Sequence, residues 1–474
     1  MTETPTARTS AISTTPDAGA AVLAALTSAL GEGCSTDQAL REEKGHDRSF
    51  HPWEPPLAVV QPRSTEEVAT ALRICGEHGV PVVPRGSGTG VEGGSNTTAG
   101  SISLDLSQMD QILEVAADDM YARVQAGVMK SALNRELAPH GMSFPVGPGV
   151  DASVGGMAST SASGTTAVSY GTLKENVIGL TAVMADGSVI TTGGITAKSS
   201  AGYDLTHLLV GAEGTLGVIT EVTVRSHPIP EYAAVSIWSL PSLAAASELV
   251  VAALRSSLRP ARVELLDDTQ VDALVRYTDL ELPVAHTLMV EFEGGEDDVA
   301  ARTAKFGRLA ETYSAHMVAS AQDPEGAARI WQARHDAFPA CLALLPDPVS
   351  IVTDVCVPLS SLVDCIAETK KDIDDASVLA PIVGHVGDGN FHLIFVLPRG
   401  DQQALETARQ VNERMVQRAL DMGGTCTGEH GIGMGKVGSL AQEHPSAAAV
   451  ARTIKDALDP QDILNPGKVA PRIR

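Results

Sequence analysis

Two histidines and one glutamate in the C-terminal half of the chain could together hold a metal ion. The stretch Ile382 to His392 reads IVGHVGDGNFH, so His385 and His392 stand at the two ends of one glycine-rich turn. Further along, Glu429 and His430 stand among glycines in TGEHGIG. Two imidazoles and one carboxylate suit a divalent transition metal and leave coordination positions for water or substrate. We therefore predict that His385, His392 and Glu429 bind a divalent metal beside His430 as a base. The alternative is that the histidines only end strands and that Glu429 and His430 form a surface pair.

The elements that would position these residues are indicated by the apolar pattern around them. Val378 to Val383 reads as a buried strand, the following glycines form a turn, and a second strand runs from His392 to Leu397. From residue 229 to about 455 the chain alternates predicted strands and helices, which indicates an α+β sheet covered on one face. One of these predicted helices carries Arg334.

A glycine-rich loop follows a predicted strand in the N-terminal half. Ser64 to Glu67 read as a helix cap, Gly79 ends that helix, and Val80 to Pro84 form the strand. The loop Arg85 to Gly90, RGSGTG, could bring several backbone N–H groups close to a pyrophosphate. It does not match the G-x-G-x-x-G dinucleotide fingerprint, and an ordinary glycine-rich turn is the alternative.

A second stretch of small residues begins at Pro145. Pro145 to Ala158 read PVGPGVDASVGGMA, and small residues continue to Ala167. A packed protein seldom leaves so many positions without bulky side chains unless something flat or extended lies on them. The glycine-rich character has ended by Pro228, so we place a domain boundary there.

Composition limits the class of protein. A chain of 474 residues is too long for one hydrophobic core, and its net charge of −24 argues against nucleic acid or an anionic membrane surface as a partner. The six cysteines show no C-x-x-C spacing and read as reduced thiols, and no run of 18 apolar residues could span a membrane. The first 20 residues lack a secretory signal and read as a mobile tail, with a helix expected over residues 21–40. We therefore expect a cytoplasmic protein.

Seven motifs along the chain resemble those of the FAD-linked oxidases of the vanillyl-alcohol-oxidase superfamily. In order they are PRGSGTG, PGVDASVGGMASTSASGT, YGT, GAEGTLGVIT, GHVGDGNFH, TGEHGIGMGK and ILNPGK, and they span roughly residues 45 to 470. Within that superfamily the chain resembles the flavin-dependent D-2-hydroxyacid dehydrogenases. In WQARHDAF, TDVCVP and TCTGEHGIGMGK it is similar to their cytochrome-type, NAD-independent D-lactate branch.

The resemblance implies an α+β fold in four parts. These are an N-terminal tail with a short helix (residues 1–44), a p-cresol-methylhydroxylase (PCMH)-type FAD-binding domain (45–228), an α+β cap with an antiparallel sheet and the metal site (229–455), and a C-terminal segment that returns to the FAD domain (456–474). It implies non-covalent FAD, because no histidine stands in the Gly88 to Gly90 loop. The residues that it implies around FAD are Arg85, Gly86, Ser87, Gly88, Thr89, Gly90, Pro148, Gly149, Ser153, Gly155, Gly156, Ala158, Gly164, Gly171, Glu213, Gly217, Ile219 and Asn465.

The resemblance also implies roles for the cap residues. The family's metal ligands fall on His385, His392 and Glu429, its base on His430, and its substrate-carboxylate arginine on Arg334. For Arg334 the alternative is a side chain that lies along a helix surface with its charge in water. Zinc is the default metal for this ligand set, and manganese or iron would suit it nearly as well.

The activity that the resemblance implies is oxidation of a D-2-hydroxy acid to the 2-oxo acid, with hydride passing to flavin N5. Val352 and Ile394 replace a lysine and an asparagine of the 2-hydroxyglutarate branch, which favours a small monocarboxylate such as D-lactate. A quinone, a cytochrome or an electron-transfer flavoprotein would accept the electrons. The alternatives are a metal-independent oxidase of another alcohol, of glycolate or of 2-hydroxyglutarate, and a non-enzymatic flavin- or metal-binding protein. A homodimer is compatible with the sequence, which does not determine the oligomeric state.

Overall fold

The structure is a computed structural model that describes residues 16–470, so most of the predicted N-terminal tail lies outside the described residues. The single helix expected over residues 21–40 is instead two helices, α1 (Pro16–Leu30) and α2 (Gln38–Lys44). Gly31 adopts a positive φ of 55° and ends the first helix, and a short 3-10 helix (Gly31–Gly33) follows. The second helix starts where the Asp37 side chain accepts a hydrogen bond from the Leu40 N–H.

The described part of the N-terminal half contains two larger sheets and a two-stranded sheet of β7 and β11. The first has the order β1-β2-β4-β3 and is parallel except for its first strand. Helix α3 (Thr65–His78) crosses from β2 to β3, capped by Ser64 and ended by Gly79 as predicted. The second sheet is antiparallel with the order β5-β6-β10-β8-β9. The strands are β1 (Cys34–Ser35), β2 (Ala58–Val60), β3 (Val82–Arg85), β4 (Ile102–Asp105), β5 (Ile112–Ala116), β6 (Tyr121–Gln125), β7 (Met142–Ser143), β8 (Val177–Val183), β9 (Val189–Gly193), β10 (Val218–Arg225) and β11 (His227–Pro228).

Short helices connect these strands. The small-residue stretch after Pro145, which we expected to be a loop throughout, contains a helix at residues 154–160, whose glycines pack closely on the sheet. An added Cβ at Gly155 would overlap Ala126, so only glycine fits there. The helices are α4 (Lys130–Leu137), α5 (Val154–Thr160), α6 (Ala167–Tyr170), α7 (Leu173–Asn176) and α8 (Leu205–Leu209), with 3-10 helices at Leu106–Gln108 and Ala138–His140.

Among residues 229–470, eight strands form one antiparallel sheet. Its order is β15-β12-β14-β13-β18-β19-β16, and β17 pairs with the other end of β19. The strands are β12 (Tyr232–Leu240), β13 (Arg262–Leu266), β14 (His286–Gly294), β15 (His316–Ala321), β16 (Pro348–Val352), β17 (Val355–Cys356), β18 (Ile382–Gly384) and β19 (Asn390–Pro398). The predicted strand from Val378 is therefore shorter than expected. Pro381 has no N–H for the ladder, although its carbonyl still accepts a hydrogen bond from the Ile394 N–H.

Helices cover both faces of this sheet, so the prediction of one covered face is wrong. Consecutive residues of β12 are buried in turn on opposite sides: Ala234 and Trp238 pack in one core cluster, and Val235 and Ile237 in the other. The helices are α9 (Leu243–Leu254), α10 (Asp268–Tyr277), α11 (Glu296–Glu311), α12 (Pro324–His335), α13 (Ala337–Leu342), α14 (Leu362–Ala376), α15 (Gln402–Asp421), α16 (Val437–Glu443) and α17 (Pro445–Leu458), with a 3-10 helix at Leu359–Ser361.

The C-terminal segment returns to the N-terminal half, as predicted. The Val82 N–H donates to the Ile463 carbonyl at 2.7 Å, and the Asn465 N–H donates to the Val82 carbonyl at 2.8 Å. The buried Lys455 ammonium donates to the Thr215 carbonyl at 2.8 Å and to the Leu464 carbonyl at 2.7 Å. These bonds connect helix α17 to both the N-terminal half and the C-terminal segment. Within residues 16–470, none of the helices has the length and hydropathy needed to cross a membrane.

Candidate active site between the two halves

The glycine-rich loops of the N-terminal half line one cavity. The lining comes from the loop after β3, the stretch around Pro148 to Ser163 and the turn at Glu213, and two residues of the C-terminal half, Glu429 and His430, complete it. The sequence analysis singled out two separate regions, the glycine-rich loops and the segment with Glu429 and His430. Both regions therefore face the same cavity.

The loop after β3 has the chemistry that a pyrophosphate needs. Within residues 16–470, the backbone N–H groups of residues 86, 88, 89 and 90 form no hydrogen bond, while the Ser87 N–H donates to Ser153 Oγ at 3.1 Å. Gly88 has a φ of 69°, and a Cβ there would overlap the Arg85 guanidinium. Unpaired amides in a loop that lines a cavity fit an anionic phosphate group.

The predicted FAD residues divide into two groups. Eleven line the cavity: Arg85, Gly86, Ser87, Gly88, Thr89, Gly90, Pro148, Gly155, Gly156, Glu213 and Ile219. The other seven are not part of the lining: Gly149, Ser153, Ala158, Gly164, Gly171, Gly217 and Asn465. Among them, the Asn465 amide donates to the Gly94 carbonyl at 2.9 Å and to the Glu213 carbonyl at 2.8 Å. That residue thus supports two lining segments, and its contact with the cofactor stays a prediction.

The predicted metal ligands come together at the edge of this cavity. Val383 pairs with His392 across strands β18 and β19, which sets the two histidine rings 5.4 Å apart at 80°. Glu429 Oε1 lies 3.2 Å from His385 Nε2 and 3.2 Å from His392 Nε2. The second oxygen, Oε2, is buried with no hydrogen-bond partner among the described residues. A buried carboxylate oxygen without a partner, beside two imidazole nitrogens, fits a metal ion.

A buried glutamate that the sequence analysis missed supports this cluster. Glu264 in β13 is fully buried, and its Oε1 lies 2.7 Å from His385 Nδ1. Its Oε2 accepts from Arg334 Nε at 2.8 Å and Nη2 at 2.7 Å. The Arg334 side chain, 11% exposed, is therefore held in an ion pair with Glu264 and does not lie along the surface with its charge in water. A charged residue inside the apolar run of β13 was the signal that could have identified Glu264.

A second missed carboxylate, Asp354, holds the loop that carries Glu429 and His430. Its Oδ2 accepts from the backbone N–H groups of residues 428, 429 and 430 at 2.8, 2.9 and 3.0 Å, and from the Thr427 hydroxyl at 2.7 Å. Its Oδ1 accepts from Asn390 Nδ2 at 2.7 Å. Burial opposes the charge of Asp354, but Lys436 and two nearby histidines hold the pKa of its carboxyl well below the usual range. The carboxylate is thus charged and fixes three successive peptide groups.

The charged groups of the cluster favour a cation at the position of His385. Burial works against a charged His385, but the carboxylates of Glu264 and Glu429 outweigh it and raise the pKa of His385 to about 10. The pKa of Glu429 lies well below its usual range despite burial, because His385 and His392 face it. A metal ion beside Glu429 would replace the positive charge of His385, whose imidazole must be neutral to act as a ligand.

His430 lies beside this cluster with an unused nitrogen. Its ring stacks on His392, with centroids 5.0 Å apart and an angle of 16°, and its Nδ1 is buried with no partner among the described residues. Burial lowers the pKa of His430, and the nearby Asp354 does not offset it. A neutral imidazole with a free nitrogen on the cavity wall can accept a proton.

These features define a class of protein. It is a two-domain α+β protein with an anion-binding glycine loop in one half and a cluster of metal-ligand type in the other. Residues 56–193 match the model described as "FAD binding domain", and residues 229–469 match the model described as "FAD linked oxidases, C-terminal domain". The chain belongs to the family of FAD-linked oxidases.

Relatives and solved structures agree with this assignment. The chain is 43% identical over 442 residues to a probable mitochondrial D-lactate dehydrogenase of Danio rerio, covering 92% of this chain and 89% of the relative. It is 40% identical over 417 residues to a mitochondrial D-lactate dehydrogenase [cytochrome] of Arabidopsis thaliana, covering 88% and 74%. The fold is similar to that of p-cresol methylhydroxylase, with a TM-score of 0.76, 18% identity and coverage of 96% and 98%. This confirms the predicted PCMH-type α+β fold.

The prediction of a cytoplasmic location is wrong by this comparison, because both of these relatives are named as mitochondrial proteins. The prediction rested on the absence of a recognisable targeting segment, and such an absence carries no information about location.

Proposed function

We propose that the protein is an FAD-dependent, metal-assisted dehydrogenase that oxidises D-lactate, or a similarly small D-2-hydroxy acid, to the 2-oxo acid. The observation that carries the proposal is the shared cavity: Glu429 and His430 complete a lining otherwise made by the nucleotide loops. The names of the relatives, D-lactate dehydrogenases of two organisms, support the substrate class.

FAD would be held without a covalent bond by the eleven lining residues, with its pyrophosphate on the unpaired amides of the loop after β3. The Gly88 to Gly90 segment carries no histidine for a covalent flavin link. When bound, the flavin supplies the hydride acceptor, and that redox chemistry belongs to the cofactor.

His385, His392 and Glu429 would hold the divalent metal, with zinc as the default and manganese or iron as alternatives. Such an ion supplies Lewis-acid chemistry that lowers the pKa of a hydroxyl group bound to it. The imidazole of His392 is oriented for this role because its Nδ1 lies 2.9 Å from the Thr353 carbonyl, which leaves Nε2 for the site.

The chain's own residues would orient the substrate and move its proton. His430 Nδ1 would accept the hydroxyl proton. Arg334 would bind the substrate carboxylate through Nη1, because its Nε and Nη2 already contact Glu264. Val352 and Ile394 pair with each other across β16 and β19, and neither offers a charge to a second carboxylate. The electrons would pass to a non-nicotinamide acceptor, for which a cytochrome is supported by the name of the Arabidopsis relative.

An anaerobic mixing experiment tests this proposal. The purified holoprotein is mixed with D-lactate, L-lactate, glycolate or D-2-hydroxyglutarate, and the visible absorption band of the flavin is followed. We expect fast bleaching by D-lactate, loss of that bleaching after chelator treatment, and recovery when zinc or manganese is added back. The variants His385→Ala and His392→Ala should retain FAD and fail to bleach. Bleaching that survives complete metal removal would refute the metal role, and no bleaching by any of these acids would refute the substrate class.

A further inference from the structure

Glu264 is a fully buried carboxylate whose two oxygens contact two different site residues. It lies in β13, between β14 and β18, near the centre of the cap sheet. Oε1 faces His385 Nδ1 at 2.7 Å, and Oε2 accepts both Nε and Nη2 of Arg334 at 2.8 and 2.7 Å. The ligand of the proposed metal and the residue proposed to bind the substrate carboxylate are therefore joined by one side chain.

This arrangement determines which atoms of the two partners remain available. His385 uses Nδ1 on Glu264, so only Nε2 is left to face Glu429. Arg334 uses Nε and Nη2, and its Nη1 has no hydrogen-bond partner within residues 16–470. The carboxylate thus leaves one nitrogen of each residue available for other contacts.

We propose that Glu264 is a positioning residue that couples metal retention to recognition of the substrate carboxylate. The inference rests on the proposed function, because it assigns Glu264 a role toward the metal at His385 and toward the hydroxy acid at Arg334. Residues that orient a metal ligand from behind commonly change metal affinity or activity ten- to a hundredfold when replaced.

The charge of Glu264 is what allows it to serve both partners. A glutamine has one carbonyl oxygen and one NH2 group, and the NH2 group cannot accept from either neighbour. Glu264→Gln can therefore orient His385 or Arg334, but it cannot orient both. Glu264→Asp keeps the charge on a side chain that is one methylene shorter and should give an intermediate effect.

The strand next to β13 offers a matched control. Glu291 in β14 is also buried, and its register partner is Arg262, two residues before Glu264. Its carboxylate contacts the Trp331 indole N–H and lies 3.7 Å from Arg262 Nε, away from the proposed metal ligands. Glu291→Gln makes the same substitution in the same sheet without touching His385 or Arg334.

The experiment measures two quantities on the FAD-loaded full chain. The first is the zinc content after dialysis against graded chelator, and the second is the KM for D-lactate at saturating zinc, separated from kcat. We expect Glu264→Gln either to weaken zinc retention or to raise KM at least tenfold, because the glutamine keeps an acceptor for only one partner, while Glu291→Gln leaves both quantities near the wild-type values. Retained FAD and a cooperative thermal transition show that each variant is folded. If Glu264→Gln does not fold, the same two quantities are measured on Glu264→Asp.

A double variant separates positioning from general damage. If Glu264 acts on lactate through Arg334, adding Glu264→Gln to Arg334→Lys should raise KM by less than threefold beyond Arg334→Lys alone. Two results would overturn the inference and leave the proposed function intact. One is a double variant whose increase in KM equals the product of the increases in the two single variants. The other is a Glu264→Gln protein with wild-type zinc retention and KM. A wild-type protein that neither binds zinc nor reduces its flavin with D-lactate would refute both.

Discussion

Replacement of Asp354 by asparagine should loosen the loop that carries Glu429 and His430 and destabilise the cap. Four short hydrogen bonds end on Asp354 Oδ2, three from the backbone N–H groups of residues 428–430 and one from the Thr427 hydroxyl, and the Lys436 ammonium lies 3.5 Å from the same oxygen. A hydrogen bond to a charged acceptor contributes about 1.5–3 kcal/mol and a neutral one about 0.5–1.5 kcal/mol, so each bond should lose roughly 1 kcal/mol. The new NH2 group would also face the Asn390 NH2 group, which the carboxylate now accepts from.

The summed loss is about 4 kcal/mol, which for a domain of this size corresponds to a fall in Tm of roughly 10 °C. Thermal unfolding followed by tryptophan fluorescence suits the measurement, because Trp238 and Trp331 both lie in the cap. We also expect slower flavin reduction by D-lactate with FAD still bound, because the metal ligand and the base share the loosened loop.

Asp372→Asn is the matched control for this prediction. Asp372 also forms ion pairs in the cap, with Arg414 and Arg418, but it lies at the surface with a 20% exposed side chain. Its replacement should cost about 1 kcal/mol or less. If the two variants unfolded at the same temperature, or if Asp354→Asn reduced its flavin at the wild-type rate, the role that we assign to Asp354 would be wrong.

Three further variants test other parts of the structure. In Gly164→Ala the new Cβ would overlap the carbonyl oxygen of Gly147, so we expect the FAD dissociation constant of the apoprotein to rise at least tenfold in a fluorescence titration. Burial raises the pKa of Asp267 to about 7, above its unfolded value near 4, so its contribution to stability is full below pH 4 and declines as pH rises through 7. Asp267→Asn should therefore remove up to roughly 3 kcal/mol of that decline in urea unfolding between pH 5 and 8.5. Lys455→Met leaves the buried Asp459 carboxylate without its cation, so it should cost about 3–5 kcal/mol in the same assay and expose the C-terminal segment to limited proteolysis.

Each of these variants has a control nearby. A Cβ at Gly194 would meet nothing within 4 Å, so Gly194→Ala should bind FAD normally. Asp268→Asn changes an adjacent carboxyl that is half exposed and should keep the wild-type pH dependence. Lys371→Met replaces an exposed lysine of α14 and should leave the stability nearly unchanged. Equal effects in a variant and its control would contradict the corresponding prediction.

The local parts of the site could be predicted from the sequence. His385 and His392 flank a glycine turn between two strands, and antiparallel pairing necessarily brings the ends of such a turn together. The glycine loop after β3 was also identifiable, because closely spaced glycines have few uses beyond backbone approach to a ligand. Glu429 and Arg334 could be assigned only through resemblance, because nothing in their own segments indicates what they contact.

The residues that the sequence analysis missed act over long separations. Glu264 stands 121 positions before His385, and Asp354 stands 75 positions before Glu429. Contacts of this kind depend on strand order, since β13 must lie beside β18 before Glu264 can reach the histidine. The prediction that helices cover only one face of the cap sheet was wrong for a related reason. Buried residues that alternate between the two faces of β12 do not show which helices pack on each face.

The loop from Thr427 to Gly433 is held from both halves of the molecule, and this explains how the cluster comes to face the nucleotide loops. Asp354 binds the start of the loop from the cap. Glu213, in the turn before β10, accepts from the Ile432 N–H at 2.7 Å and from the Gly433 N–H at 2.9 Å. Both carboxylates are buried, so each hydrogen bond would be costly to leave unmade. The position of Glu429 and His430 relative to the nucleotide loops is therefore set by Asp354 and Glu213, and we expect a change at either residue to shift that position.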